Sequence, residues 1–343
     1  MLEGSIGFDA YTIAIFIAFV VGCLLLDLFS HRKDKPVSLK DAIGWSLVWV
    51  ALALVFYGFL IWHFGSEKAA PFLTGYVLEK ALSVDNLMVF IAIFSSFAVP
   101  DGYRHRILFY GVLGAMFFRL VFVGIGSALY ALGPWVDVLF AAIIACSAVQ
   151  MLKSEEGEEE IEDYSDHWSV RMTKRFMPVW PKLYHHNFFA PGHAVTQLMA
   201  HPENAGLDVK KGKGYYATPL FLCLVTVEIS DVMFSFDSVP AVIAVTKDPL
   251  LVYSAMIFAI MGLRQMYFVL EAMQKYLVHL GRAVICLLFF IAFKLVLNAA
   301  NHFHWTDFSI DPNTSLMIVL GMLAAGVVAS FIFPENDEDK GAA

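Results

Sequence analysis

The stretch Thr218–Val245, TPLFLCLVTVEISDVMFSFDSVPAVIAV, decides how the rest of the chain is read. As a helix it is long enough to cross a hydrocarbon core about 30 Å thick, yet it carries Glu228, Asp231 and Asp237. An ionised carboxylate at the bilayer centre costs about 2.5 to 3.5 kcal/mol on insertion scales, so intramembrane acids mark functional sites by default. Three in one span make this run the candidate site of the molecule.

The chain around it is equally apolar. Of its 343 residues 59% are hydrophobic and 16% charged, against about 25% charged in soluble domains, and mean hydropathy is +0.68. The apolar runs last about 20 residues or more and lack the weak alternation of outer-membrane strands. The expected fold is an all-α polytopic membrane protein with the lipid bilayer as its partner. Nine transmembrane helices are expected, over 8–29, 42–63, 71–99, 107–132, 135–152, 216–246, 250–271, 281–299 and 315–333. The net charge of −8 comes largely from one loop and the C-terminal tail, and no basic groove offers itself to nucleic acid. Cys23, Cys146, Cys223 and Cys286 sit singly in apolar runs, without a C-x-x-C or haem-attachment pair. They read as packing thiols, and no covalent cofactor is expected.

Arg32, Lys33, Lys35 and Lys40 follow the first span and place that loop inside, with the N-terminus outside. Alternation then puts Arg104, Arg106, the loop 153–215, Lys275, Arg282 and the tail inside, leaving only Lys68 and Lys247 on outside loops. The expected location is the cytoplasmic (inner) membrane. The segment MLEGSIGFDAYT is acidic where a cleaved signal peptide is basic, so the first span is expected to stay. Within the long loop an acidic run, EEGEEEIEDYSD, precedes a basic aromatic part, RMTKRFMPVWPKLYHH. Such charge blocks read as solvated segments, with cation attraction or regulation the alternative. His185, His186, His193 and His201 follow no zinc-ligand spacing, and NHFHW at Asn301–Trp305 reads as an interfacial belt.

A second acidic motif, EKALSVDNLMVF, lies in the third span. Setting LSVDN (Leu82–Asn86) over FSFDS (Phe234–Ser238) places Glu79 opposite Asp231, each six residues before an Asp. Downstream, Arg119 in GAMFFRLVFV answers Arg264 in IMGLRQMYFV, and Gln150 falls opposite Lys294. Two three-helix repeats are expected, spans 3–5 and 6–8. Three being odd, the second copy is inverted, as in many secondary transporters. The chain then divides into two N-terminal helices (1–70), the first repeat (71–152), the loop (153–215), the second repeat (216–299) and a last helix with its flanks (300–343).

Residues six apart on a helix are rotated by about 240°, so Asp231 and Asp237 do not share a face, whereas Glu228 and Asp231 do. Pro240 leaves the Phe236 carbonyl without its helical donor, and a break near 236–240 is expected to let the acids converge. In the third span Glu79 and Asn86 share a face that Asp85 borders. Carboxylates, the Asn86 amide and the Ser83 and Ser238 hydroxyls are hard oxygen donors suited to Mg²⁺, Mn²⁺ or Ca²⁺. The competing reading is a structural network in which Arg119, Arg264, Lys294 and Lys80 neutralise the acids. Lys80 is otherwise expected to snorkel.

The residues EKALSVDN (Glu79–Asn86) and VEISDVMFSFDSVPA (Val227–Ala241), with Arg119, ATPLF (Ala217–Phe221) and FKLVL around Lys294, resemble the TerC family of integral membrane proteins, in particular its Alx-like branch, over about residues 70–330. The resemblance implies metal-ion homeostasis, with manganese export for Alx-like members; older labels speak of tellurium resistance and redox modulation. It also implies Glu79, Asp85, Asn86, Asp231, Asp237 and Ser238 as ion-site residues. Gln150 departs from the Lys expected there, and the stretch Tyr184–Tyr215 is longer than usual.

The expectation is thus a non-enzymatic transporter whose metal site is built from Glu79, Asp85, Asn86, Glu228, Asp231, Asp237 and Ser238. Arg119, Arg264 and Lys294 serve in it as charge-pairing or coupling residues, and Mn²⁺ is the transported cation. The alternative is a membrane-bound redox modulator or tellurium and stress-resistance protein without transport activity. No haem, flavin or dithiol motif supports redox chemistry. An intramembrane aspartyl protease would carry G-x-G-D, which is absent, and a scaffold would tolerate neutral acids.

Overall fold

A computed structural model describes residues 10–30, 38–130, 132–156, 167–204, 207, 209–210, 212, 214–246, 248–273, 279–306 and 308–332; within its helices the side chains of residues 24, 27–30, 85, 154–156 and 280 lie outside that description. The orientation signals at Arg32, Lys33, Lys35, Lys247, Lys275 and Lys340, the acidic run and the Asp85 carboxylate therefore lie outside the described residues.

In chain order the helices are α1 (Ala10–Ser30), α2 (Leu39–Phe64), α3 (Ser66–Ser96), α4 (Asp101–Tyr130) and α5 (Trp135–Glu156). A small folded segment follows, with α6 (Trp168–Phe176), β1 (Phe189–Pro191), α7 (Gly192–Met199) and β2 (Tyr215–Ala217). The chain closes with α8 (Pro219–Val245), α9 (Pro249–Ile260), α10 (Leu263–Met273), α11 (Leu280–His302) and α12 (Pro312–Ile332). Local signals set several boundaries. Ser38 caps α2 by accepting from Asp41 N at 3.2 Å, and Asp248 caps α9 by accepting from Leu250 N at 3.0 Å, with Pro249 in the first turn.

Among the described residues a helix, or the pair α9 and α10, overlaps each of the nine stretches expected to span. Among the described residues only six helices are long and apolar enough to cross a membrane, or seven if the pair is one span. The two that fall short have different reasons. In α1 the count covers only Ala10–Cys23 among the described residues, although its sequence stays apolar through Leu26, while α3, at 31 residues, has ample length but is interrupted by Glu67, Lys68, Glu79, Lys80 and Asp85.

The break expected near 236–240 is not there. α8 runs unbroken through Pro240, and the broken pair is α9 and α10, bent by 51°. Between them Met261 leaves helical geometry and Gly262 takes φ +80, a left-handed conformation natural only to glycine. A Cβ on Gly262 would also lie 2.6 Å from Trp49 Cδ1, so α2 closes over the break.

The helices of the two expected repeats interleave: α3 packs on α9, α4 on α8, α5 on α11, and α3 also meets α8. At the centre runs α9, whose residues from Leu251 to Ile260 include no exposed side chain, as suits a helix apolar on every face. Phe258 stacks on Phe56 with centroids 4.8 Å apart and meets Phe19 and Phe72 edge-on or tilted at 5.4 and 5.7 Å. Outward, α4 exposes Phe117, Leu120 and Ile125, and α12 exposes Met317, Val328 and Phe331, the apolar rim a bilayer would cover.

The second half of the long loop is folded rather than merely solvated. β1 and β2 pair antiparallel, with Ala190 opposite Tyr216, over a small core of Trp180, Ala190, Val195 and Tyr216. The Ser169 and Thr226 hydroxyls, 2.9 Å apart, tie α6 to α8.

Candidate functional site

The two acidic motifs meet where α8 packs against both α3 and α4. Arg119, on the buried face of α4, donates through Nη1 to Glu79 Oε1 on α3 and through Nη2 to Asp231 Oδ1 on α8 at 3.1 Å. Glu79 and Arg119 are 0% exposed and Asp231 4%, so water does not screen this triad. A planar guanidinium offers a fork of donors that bridges two carboxylates from different helices, where an ammonium would act as a point charge.

Arg119 serves only one oxygen of each acid. Glu79 Oε2 and Asp231 Oδ2 are buried without a hydrogen-bond partner among the described residues, as are Glu228 Oε2, Ser83 Oγ and Ser238 Oγ. Helical spacing explains the set. Ser83 follows Glu79 by four residues, Ser238 follows Asp231 by seven, and Glu228 precedes Asp231 by three, so each serine faces with its acid. Glu228 reaches this depth because position 114 of α4 is glycine: a Cβ there would overlap the Glu228 carboxylate.

Asp237 turns away from that face, as its spacing requires. Its Oδ1 accepts from Ser238 N at 2.9 Å, with the Ser147 hydroxyl of α5 in hydrogen-bonding range and Arg119 within electrostatic reach. Asn86 is buried further along α3 at 8% exposure, and the Asp85 side chain lies outside the described residues.

The other expected charge partners are placed differently. Lys294 is buried on α11 but donates to Ser315 Oγ on α12 at 3.0 Å, away from the motif acids. The repeat alignment set it opposite the exposed Gln150, and neither residue neutralises the cluster. Arg264 is buried at the start of α10. Lys80 does not snorkel: its Nζ donates to Ala259 O at 3.0 Å and Met261 O at 3.4 Å, at the end of α9. Sequence reasoning missed this contact and the Gly262 break; the only signal was the glycine in IMGLR, less conspicuous than Pro240.

Among the described residues no three His, Cys, Asp or Glu side chains converge as a metal-ligand set. The guanidinium joins Glu79 and Asp231, and five buried oxygens on α3 and α8, with the guanidinium's own Nε, are left without a hydrogen-bond partner among the described residues. A cation entering here would find hard oxygen ligands on two helices once Arg119 moved aside.

An apolar helical bundle with a charged triad closed inside it defines an integral membrane protein with a polar intramembrane site. The chain belongs to the TerC family: the model for "Integral membrane protein TerC family" matches residues 64–338. It is 56% identical over 342 residues to the "Tellurium resistance protein TerC" of Serratia marcescens, covering 99% of both chains. It is also 33% identical over 337 residues to the "Putative membrane-bound redox modulator Alx" of Escherichia coli K12, covering 96% of both. A Myxococcus xanthus relative named "Uncharacterized membrane protein STKORF319" is 37% identical over 330 residues, covering 94% of both. No solved structure matches the chain.

Proposed function

We propose that the protein exports a hard divalent cation, Mn²⁺ first among them, across the cytoplasmic membrane through the site between α3, α4 and α8. One observation carries the reading: Glu79 and Asp231, bridged by a single arginine, each keep a buried oxygen without a partner, as do Glu228, Ser83 and Ser238 on the same two helices. A structure built only for packing gains nothing from that arrangement, since an unsatisfied buried polar group costs about 1 to 3 kcal/mol. In this reading Arg119 stands in for the cargo. A divalent cation takes its place between Glu79 and Asp231, and the released guanidinium turns toward Asp237. Asn86, buried on α3, completes the site.

The interleaved packing supports two inverted repeats. α3 on α9 and α4 on α8 are the same contact, first helix on second helix of the other copy, made twice. Nine spans, with α3 spanning despite its charges, put the N-terminus outside and α6 to β2 inside. Alternating access then comes from one repeat rocking against the other around the site.

The test is cellular manganese content under a manganese load in cells expressing the wild type, Asp231→Asn or Asp237→Asn, with magnesium, calcium and zinc measured alongside. Wild type that lowers manganese alone, with normally inserted variants inert, is the expected result. Equal metal content in all strains would defeat the proposal. A second reading, resistance or redox modulation without transport, draws on the relatives' names; it predicts tellurite tolerance that survives both substitutions with metal content unchanged.

A further inference from the structure

At the break in the α9–α10 pair, α9 ends at Ile260 and the chain leaves the helix at Met261 and Gly262. The last carbonyls of a helix lack intrahelical donors and form its negative pole. At a break inside a membrane protein those carbonyls commonly line an ion site. Here the position is filled from another part of the chain: the Lys80 ammonium donates to Ala259 O at 3.0 Å and Met261 O at 3.4 Å. The contact joins residues 179 and 181 positions apart in sequence, so it is tertiary and not a local cap.

Lys80 also adjoins the candidate site directly. Neighbouring residues on a helix point about 100° apart, so α3 addresses Arg119 with Glu79 and the end of α9 with Lys80. The Glu79 carboxylate lies within electrostatic reach of the ammonium. Two cations, Arg119 and Lys80, therefore meet this acid from different sides. The break itself has a left-handed glycine at its corner and Trp49 against it, so its geometry is concentrated in one residue, where a hinge can act.

We propose that Lys80 is a positioning residue, a tethered cation seated in the carbonyl cup at the end of α9. It holds the α9–α10 break in its bent form and ties that form to the occupancy of Glu79. The coupling rests on the export reading above; the seating of Lys80 does not. A divalent cation on Glu79 repels the adjacent ammonium, loosens its hold on Ala259 O and Met261 O, and lets α10, with Arg264, swing about Gly262.

Amide hydrogen exchange on the purified full-length protein tests this, with and without Mn²⁺, in the wild type, Lys80→Met and Lys80→Ala. Methionine keeps the length of the side chain, and alanine opens a place for an added amine. Loss of two hydrogen bonds from a charged donor raises exchange at Met261 to Met266 about tenfold or more, while peptides from α4 and α8 hold their rates. Methylammonium restores slow exchange in Lys80→Ala and does nothing to Lys80→Met, a distinction that a packing role for the stem does not produce. Wild-type rates at the break in both folded variants, or rescue absent in Lys80→Ala, overturn the seating. Mn²⁺ that speeds exchange at the break in the wild type only is expected. Mn²⁺ that alters exchange around Glu79 and Asp231 but leaves the break unchanged overturns the coupling. If Mn²⁺ changes nothing anywhere, the export reading fails while the seating is judged on the variants alone.

Discussion

Arg119 is the residue on which the centre of the molecule depends. Removing one partner from a buried charge pair leaves an uncompensated charge, which costs about 3 to 5 kcal/mol. Arg119→Met is therefore expected to lower the thermal midpoint in detergent sharply, and the triple variant Arg119→Met, Glu79→Gln, Asp231→Asn to recover most of the loss. A single variant as stable as the wild type would mean that the acids are not ionised against Arg119. Lys294 predicts the opposite pattern. It bonds to Ser315 and to none of the triad, so Lys294→Met costs about 1.5 to 3 kcal/mol for a charged hydrogen bond and, on the proposed export reading, leaves cellular manganese as in the wild type. The acids were legible in the sequence because charge in an apolar run is expensive and so conspicuous. Their partner was not, since Arg119, Arg264 and Lys294 look alike on paper. Only the packing of α8 against both α3 and α4, which brings the Arg119 side chain to Glu79 and Asp231, selects it.

At the level of the element, the contrast between Pro240 and Gly262 is instructive. Proline removes one hydrogen bond and crowds the preceding turn, but the flanking residues Val239 and Ala241 are buried against neighbours, and this packing keeps α8 straight. Gly262 redirects the chain by adopting a left-handed conformation, and carbonyls left free at the break accept from Lys80 instead. Pro240→Ala is expected to change thermal stability little. Gly262→Ala forces a left-handed residue with a side chain, about 1 to 2 kcal/mol, and also displaces Trp49. It should therefore destabilise the protein and reduce export, and a melting curve matching the wild type would remove the break's special standing. A milder effect concerns the start of α12. The Asp311 carboxylate, held below its ordinary range by the Thr314 hydroxyl and the Thr314 and Asn313 amides, steadies that helix when ionised. A depressed carboxylate contributes above its unfolded value and loses the contribution as pH falls through its folded one. Acid should therefore speed exchange at Thr314 before it affects α11.

For the whole molecule, hydropathy placed the helices well because span length is fixed by bilayer thickness, and each expected stretch coincides with a helix or the broken pair. Length and apolarity alone qualify six or seven of them as spans among the described residues, α3 being set apart by its charges. Hydropathy read the charged second half of the long loop as solvent-facing, overlooking Trp180, Tyr216 and Val195, too few to announce a core in a polar background. The proposed orientation predicts that cysteine introduced at Lys182 is shielded from an impermeant thiol reagent in intact cells, whereas one at Lys68 is labelled. The reverse pattern would invert the topology and turn export into uptake.

The family match begins at residue 64, after α2, and both acidic motifs lie within it. Yet α9 is walled by Phe56 and Phe19, and Gly262 is roofed by Trp49, all contributed by α1 and α2. The range matched by the family model thus leaves out side chains that pack on α9 and on its break, although relatives align over 94% or more of the chain. In chain order α1 and α2 precede α9, so the aromatic wall leaves the ribosome before the helix it encloses.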